Sequence, residues 1–230
     1  MVKEEECYLY RMIRTVIFDM DGVLVDTEPL HHDAFFRHFA ELGIPMTAAE
    51  YATFLGASTR NVYQELKAQF GLREEVETLI QRKRELFGKS FDESTTLELL
   101  PGARPLIEDL HRAGVPLQLA SSASKETIAR VFTRFGLYPY FDNLISGEDF
   151  PRSKPDPAIF LHAAQLAGVP PHECLVIEDS ANGVTAAKAA GMACVGYKSE
   201  HSEGQNLDHA DRVVAHLGQL SATAIQAWPA

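Results

Sequence analysis

The sequence predicts an α/β fold, a doubly wound parallel sheet interrupted by an inserted all-helical domain, and three features carry that expectation. First, Thr15-Val16-Ile17-Phe18 is an apolar, β-branched and aromatic run without polar alternation, as a strand covered on both faces requires. Second, beyond Pro101-Gly102 short apolar runs alternate with helical patterns that close on glycine. Repeated strand, helix, strand units wind into a parallel sheet by the right-handed crossover rule. Third, the residues between these regions carry helical patterns only. The α/β core, Rossmann-like in its winding, is therefore expected over 12–27 and 98–230, with 28–97 a helical cap inserted after the first strand.

The elements follow in order. Asp19 and Asp21 stand directly after the first strand, and Gly22 permits a sharp turn there. Thr27 is placed to cap a helix whose first turn holds Glu28 and Pro29. Leu30, Ala34, Phe35, Phe39 and Leu42 form its apolar stripe, and Gly43 ends it. Segments 47–54, 58–70 and 73–88 also read as helices, with Gly56, Gly71 and Gly88 at their connections. In the second part a helix over 103–113 stops at Gly114, and Pro116–Ala120 is a short strand with Ser121 at its exit. A helix over 125–135 closes at Gly136, Leu144-Ile145 is a weak strand, and Lys154 lies in the loop from Gly147 to Pro157. Pro157 opens a helix that ends at Gly168. Cys174–Ile177 is a buried strand with Glu178 and Asp179 at its exit. A helix over 182–190, the strands Ala193–Gly196 and Arg212–Val214, and a polar loop over 198–211 complete the chain.

Composition narrows the function classes. A chain of 230 residues with 46% hydrophobic content buries a substantial core. The formal net charge of -11 argues against nonspecific attachment to nucleic acid or anionic membrane. An anionic ligand would then have to be met locally by a metal, a lysine or backbone amides. Three cysteines, two of them in apolar strands, do not suit a disulfide framework. The acidic start, Met-Val-Lys-Glu-Glu-Glu, lacks the pattern of a secretory signal, and no apolar run reaches the roughly 18 residues of a membrane span. The expectation is a reduced, cytoplasmic protein, a monomer or weak homo-oligomer.

Four polar elements fall at or near the C-terminal ends of strands: Asp19 with Asp21, Ser121, Lys154, and Glu178 with Asp179. Open parallel sheets bind their ligands at that edge. Carboxylates two residues apart in an extended segment point the same way, so one can attack while the other moves protons. By itself Asp-x-Asp also suits a turn with solvated acids. The longer stretch Phe18-Asp19-Met20-Asp21-Gly22-Val23-Leu24-Val25-Asp26-Thr27-Glu28-Pro29-Leu30-His31, however, closely resembles the first signature of the haloacid dehalogenase-like phosphotransferases. The likeness is to the branch that includes β-phosphoglucomutase and small sugar-phosphate phosphatases. Ser121, Ser153-Lys154-Pro155-Asp156-Pro157 and Glu178-Asp179 follow in the order and approximate separations of the remaining signatures.

The resemblance implies phosphoryl transfer, in which catalysis is mostly positioning and charge stabilisation. Asp19 is implied as the nucleophile that forms an aspartyl-phosphate, and Asp21 as the general acid and base. It also implies Mg²⁺ held by Asp19, the backbone carbonyl of Asp21 and Asp179, with Glu178 nearby. Lys154 then supplies positive charge, Ser121 a hydroxyl, and Ser122 and Ala123 amides for phosphate oxygens. In the helical insertion, His31, Gly56, Ser58 and Arg60 match substrate-facing positions, although Thr59 stands where the mutase has its arginine. Arg82-Lys83-Arg84 reads as a solvated helix face. The expected activity is a Mg²⁺-dependent phosphatase of a small phosphorylated sugar, with a hexose phosphate mutase as the alternative. A phospho-accepting receiver domain is disfavoured, because it needs neither the helical insertion nor a general acid at Asp21.

Overall fold

A computed structural model describes residues 12–54, 59–199 and 204–228. Among these residues six parallel strands, β1 (Thr15–Phe18), β2 (Leu117–Ser121), β3 (Asn143–Ser146), β4 (Cys174–Glu178), β5 (Ala193–Tyr197) and β6 (Arg212–Val214), form one sheet in the order β3-β2-β1-β4-β5-β6. This is the doubly wound α/β arrangement that the apolar runs predict. The winding direction reverses at β1, whose neighbours are β2 and β4. A ligand crevice opens outside the strand ends at such a reversal. All residues of β1, β2, β4 and β5 are buried, which explains why these strands read as continuous apolar runs.

The chain divides into two compact units, one made of the residues up to Asp26 together with those from Glu98 onward, the other Thr27–Leu97. In the first, the α/β unit, the turn after β1 is held by Val23, Leu24 and Val25 amides on the Met20 carbonyl. Val25 bridges Leu99, and the Leu100 amide donates to the Leu24 carbonyl at 2.8 Å. The outgoing and returning strands of the insertion are thereby tied together within the α/β unit.

The second unit holds α1 (Glu28–Glu41), α2 (Ala48–Ala52), α3 (Thr59–Phe70) and α4 (Val76–Glu93). Phe35, Phe39, Tyr51, Tyr63, Leu66 and Leu79 are among the residues of its own core. Two expectations fail here. Thr27 makes no side-chain cap bond to α1, because its backbone (φ -99°, ψ 0°) is not in the extended conformation that aims a hydroxyl at the first turn. Gly88 does not end a helix: α4 runs through it to Glu93, with Gly88 buried. Tertiary packing along α1 offsets the low helix propensity of one glycine. Gly56 falls outside the described residues.

The α/β unit adds α5 (Ala103–Arg112), α6 (Lys125–Phe135), α7 (Ala158–Ala167), α8 (Ala181–Ala189) and α9 (Ala222–Gln226). Helix α6 has the predicted bounds because both ends carry strong local chemistry. The Ser124 hydroxyl accepts from the Thr127 amide, and Gly136 closes the helix in the left-handed conformation. Pro157 occupies the cap position of α7, and the Asp156 carboxylate accepts from the Ala158 amide at 3.0 Å. No helix among the described residues is long and apolar enough to cross a membrane.

Candidate active site

The parallel register aligns Phe18 with Ile177, so the next pair along, Asp19 and Glu178, leaves the sheet side by side at the reversal point. Lys154 enters between them from the loop before α7. Its Nζ donates to Asp19 Oδ1 at 2.6 Å, to Glu178 Oε1 at 2.8 Å and to the Ala120 carbonyl at 3.0 Å. The ammonium also lies 4.7 Å from the centre of the Phe160 ring. All three charged groups are withdrawn from water: the Lys154, Asp19 and Glu178 side chains are 6%, 10% and 1% exposed. A sequence distance of 135 residues separates Asp19 from Lys154, so only the fold brings them together.

Burial is the largest cause that pushes the Asp19 carboxyl up to about 7; Lys154 opposes it by charge and hydrogen bond, while Glu178 and Asp21 add to the rise. For Lys154, burial disfavours the ammonium, but the charges and hydrogen bonds of Asp19 and Glu178 outweigh it and raise the lysine above its ordinary value.

Glu178, expected near the metal ligands, is also an anchor for Lys154. Its Oε1 takes Lys154, and its Oε2 accepts from both the amide and the hydroxyl of Ser180 at 2.9 Å. With both oxygens engaged, Glu178 holds the lysine in place. Gly183 makes this possible. A β-carbon there would stand 1.8 Å from the Glu178 carboxylate, so α8 can approach β4 only without a side chain at that position. A Gly183→Ala variant is therefore expected to displace Glu178 and cost about 1–3 kcal/mol, with a melting point lowered by several degrees. Thermal melting checks this; an unchanged melting point counts against the close approach.

Asp179 lies on the other side of the same turn. A β-carbon on Gly22, whose φ is +78°, would stand 2.0 Å from Asp179 Oδ2. Gly22 thus supplies both a left-handed turn and the space that admits the Asp179 carboxylate beside the Asp19–Asp21 segment. Asp21 sits on this turn, partly exposed, and Asp179 is likewise partly exposed. Four carboxylates, Asp19, Asp21, Glu178 and Asp179, thus surround the end of β1 with Lys154 as the cation bound among them. That excess of negative charge, together with the raised Asp19, suits a hard divalent cation with oxygen ligands. Among the described residues no three His, Cys, Asp or Glu side chains converge into a complete cage. A cation that takes one or two carboxylates and keeps water and phosphate ligands requires none.

Ser121 is buried at the end of β2, and its Oγ accepts from the Ala123 amide at 3.1 Å. The expectation that Ala123 offers its amide to a ligand is corrected accordingly, since that N–H is engaged inside the loop. Accepting this bond leaves the Ser121 hydroxyl its proton to donate. Ser122 is exposed beside it.

The insertion residues have mixed fates. Ser58, like Gly56, lies outside the described residues. Arg60 pairs with Glu77 at 2.5 Å, with both side chains more than half exposed, so it serves a surface contact within the helical unit. His31 stacks on Phe87 at 4.4 Å, and its Nδ1 lies 2.6 Å from Lys83 Nζ. Burial, then the charge of Lys83, holds His31 well below its ordinary value, so the ring is neutral and Nδ1 accepts. Lys83 is only 4% exposed, contrary to a solvated Arg82-Lys83-Arg84 face. At 100° per residue, three consecutive helical positions cannot all face water beside a packed neighbour; Arg82 stays outside on Glu41 and Glu85. A run of three cations gave no sign of which one turns inward.

The family model of the haloacid dehalogenase-like hydrolases matches residues 13–191. Among curated relatives, hexitol phosphatase B of Escherichia coli K12 is 36% identical over 191 residues, covering 80% of this chain and 83% of that protein. A phosphorylated carbohydrates phosphatase of Thermotoga maritima is 34% identical over 180 residues, covering 78% and 82%. Among solved structures, a β-phosphoglucomutase of Clostridium difficile superposes with a TM-score of 0.78 at 30% identity, covering 94% of this chain and 96% of that one.

Proposed function

The chain belongs to the haloacid dehalogenase-like hydrolases, and we propose that it is a Mg²⁺-dependent phosphatase of a small phosphorylated carbohydrate, working through an aspartyl-phosphate on Asp19. The observation that carries this reading is the buried Lys154 held between Asp19 and Glu178 at the reversal point of the sheet. That arrangement fixes one carboxylate oxygen of Asp19 and leaves the other for attack.

In the first half-reaction the Asp19 carboxylate attacks phosphorus, the bond to the sugar oxygen breaks, and Asp21 gives that oxygen its proton. In the second, Asp21 takes a proton from water as the water attacks the same phosphorus, releasing inorganic phosphate and restoring Asp19. Lys154, whose three N–H bonds are engaged by Asp19, Glu178 and the Ala120 carbonyl, offsets the phosphate charge, and the Ser121 hydroxyl and the Ser122 amide are the donors this reading assigns to the phosphate oxygens. Asp19, the Asp21 carbonyl and Asp179 are the residues that would hold Mg²⁺, which supplies charge neutralisation between carboxylate and phosphate. Two buried free thiols, Cys174 and Cys194, fit a reducing, cytoplasmic location.

An Asp21→Asn variant is expected to keep substrate affinity while turnover falls by roughly 10² to 10⁴, the usual scale for a lost general acid and base. Steady-state kinetics checks it; a rate within twofold of the unmodified protein removes Asp21 from this role. The likeness to a β-phosphoglucomutase supports a second reading, in which a sugar hydroxyl replaces water as acceptor. Arg60, engaged with Glu77 and displaced by Thr59, favours water. The deciding experiment assays sugar phosphates with Mg²⁺ and with chelator, then supplies β-glucose 1-phosphate with a trace of its bisphosphate. Phosphate release that chelator abolishes is expected. Isomerisation to glucose 6-phosphate far exceeding phosphate release establishes the mutase instead.

A further inference from the structure

Four consecutive residues at the end of β3 meet residues 122–125, the loop that follows β2 and the first residue of α6. Ser121 and Ser146 are paired in register at the ends of these strands, and both are 1% exposed. Ser146 Oγ donates to the Ala123 carbonyl at 2.7 Å and accepts from the Glu148 amide at 3.2 Å. Gly147 lies so close that a β-carbon on it would stand 3.0 Å from Ser122 Cα and 3.4 Å from the Ser122 carbonyl oxygen. Glu148 Oε2 accepts from the Lys125 amide at 2.9 Å, and Asp149 pairs with the Lys125 ammonium at 2.6 Å. Ala123 is consequently held at both ends of its peptide frame, its N–H by Ser121 and its carbonyl by Ser146.

We propose that the turn Ser146–Asp149 is a positioning element for phosphate recognition, which sets the Ser121 hydroxyl and the Ser122 amide by clamping residues 122–125. The role rests on the reading of Ser121–Ala123 as the loop that meets the phosphoryl group. The strand end alone does not fix this loop: beyond Ser121 the sheet ladder stops, and the Ser146 hydroxyl replaces it as the partner of a backbone carbonyl. Within the clamp, the exposed Lys125–Asp149 ion pair contributes least. The buried Ser146 hydroxyl, the side-chain-free contact at Gly147 and the Glu148 carboxylate at the first turn of α6 carry the positioning. Phosphate donors shifted out of place weaken the hold on the phosphoryl group in ground state and transition state alike, which is the effect the clamp prevents.

The test measures the inhibition constant of inorganic phosphate, together with KM and kcat for p-nitrophenyl phosphate, in Ser146→Ala, Ser146→Thr and Glu148→Ala, with Ser121→Ala as reference. Ser146→Ala is expected to raise the phosphate inhibition constant and KM together by about tenfold, with kcat falling less, and Ser146→Thr to restore both. Glu148→Ala, at an exposed position that leaves the core intact, is expected to raise them about threefold. A phosphate inhibition constant within twofold of the unmodified protein in Ser146→Ala overturns the proposal. Should that variant fail to fold, an unchanged constant in Glu148→Ala overturns it. If Ser121→Ala also leaves phosphate inhibition unchanged, the phosphate-loop reading itself falls. An effect at Ser121 without one at Ser146 or Glu148 removes only the clamp.

Discussion

An Asp19→Asn variant is expected to fold, to bind phosphate, and to lose turnover by roughly 10⁴ or more, the scale seen when a nucleophile is removed. The two side chains have the same shape, and the amide carbonyl oxygen of asparagine still accepts a hydrogen bond from Lys154. The lattice of contacts at the end of β1 therefore survives: the residue 19 amide on the Ile177 carbonyl, Lys154 on Ala120 and on Glu178. What disappears is an oxygen able to form a bond to phosphorus and one negative charge beside the cation site. Measuring kcat together with the melting point separates the chemistry from the fold. Turnover retained within tenfold removes Asp19 as nucleophile, whatever the melting point does.

Replacing Lys154 by methionine is expected to damage both stability and activity. The side chain keeps its length, but Asp19 and Glu178 are left buried beside each other without the ammonium. Breaking a buried ion pair from one side costs about 3–5 kcal/mol, on the order of 10 °C in melting point for a chain of this size. Turnover should fall by roughly 10³ or more, because Asp19 loses its orientation and the phosphate loses a cation. The pH dependence has a definite sign. Asp19 is already pushed up to about 7 with Lys154 present, and removing the lysine raises it further. A carboxyl raised on folding stabilises the fold when protonated, and that contribution is lost as pH rises through the folded value. The deficit of the variant against the unmodified protein should accordingly be larger at about pH 8 than at about pH 5, the growth coming above about pH 7, where Asp19 of the unmodified protein has ionised and that of the variant has not. Equal deficits at both ends indicate that the lysine does not compensate these two acids.

Much of the fold was legible because the relevant signals are local. Strand β1 and helix α6 appear at their predicted bounds, the first from four apolar residues in succession, the second from a serine cap and a closing glycine. Helix α9 escaped notice, since five residues at the chain's end carry too little periodicity. The run through Gly88 was misread because a glycine's cost is local whereas the packing that outweighs it is not. At the site, the strand-end acids and Lys154 were identifiable from motif order, but their partnership was not: Glu178 as the second anchor of Lys154 depends on strand register and on Ser180. Gly22 and Gly183 owe their importance to what approaches them across the fold, which no neighbouring residue announces. Ser146 carries no signal in the sequence, because its bond to the Ala123 carbonyl exists only with β3 set beside β2.

The central claim is that phosphorus is bonded to Asp19 during turnover, and trapping that species tests it most directly. The Asp21→Asn variant, mixed with Mg²⁺ and p-nitrophenyl phosphate, whose leaving group needs little protonation, should accumulate the intermediate because activation of water is impaired. Acid quench, proteolysis and mass spectrometry should then find one phosphoryl group on the peptide containing residues 15–27, located at Asp19 and absent when Asp19 is also replaced by asparagine. An unmodified Asp19 during demonstrable turnover, or a phosphoryl group on another residue, contradicts the account.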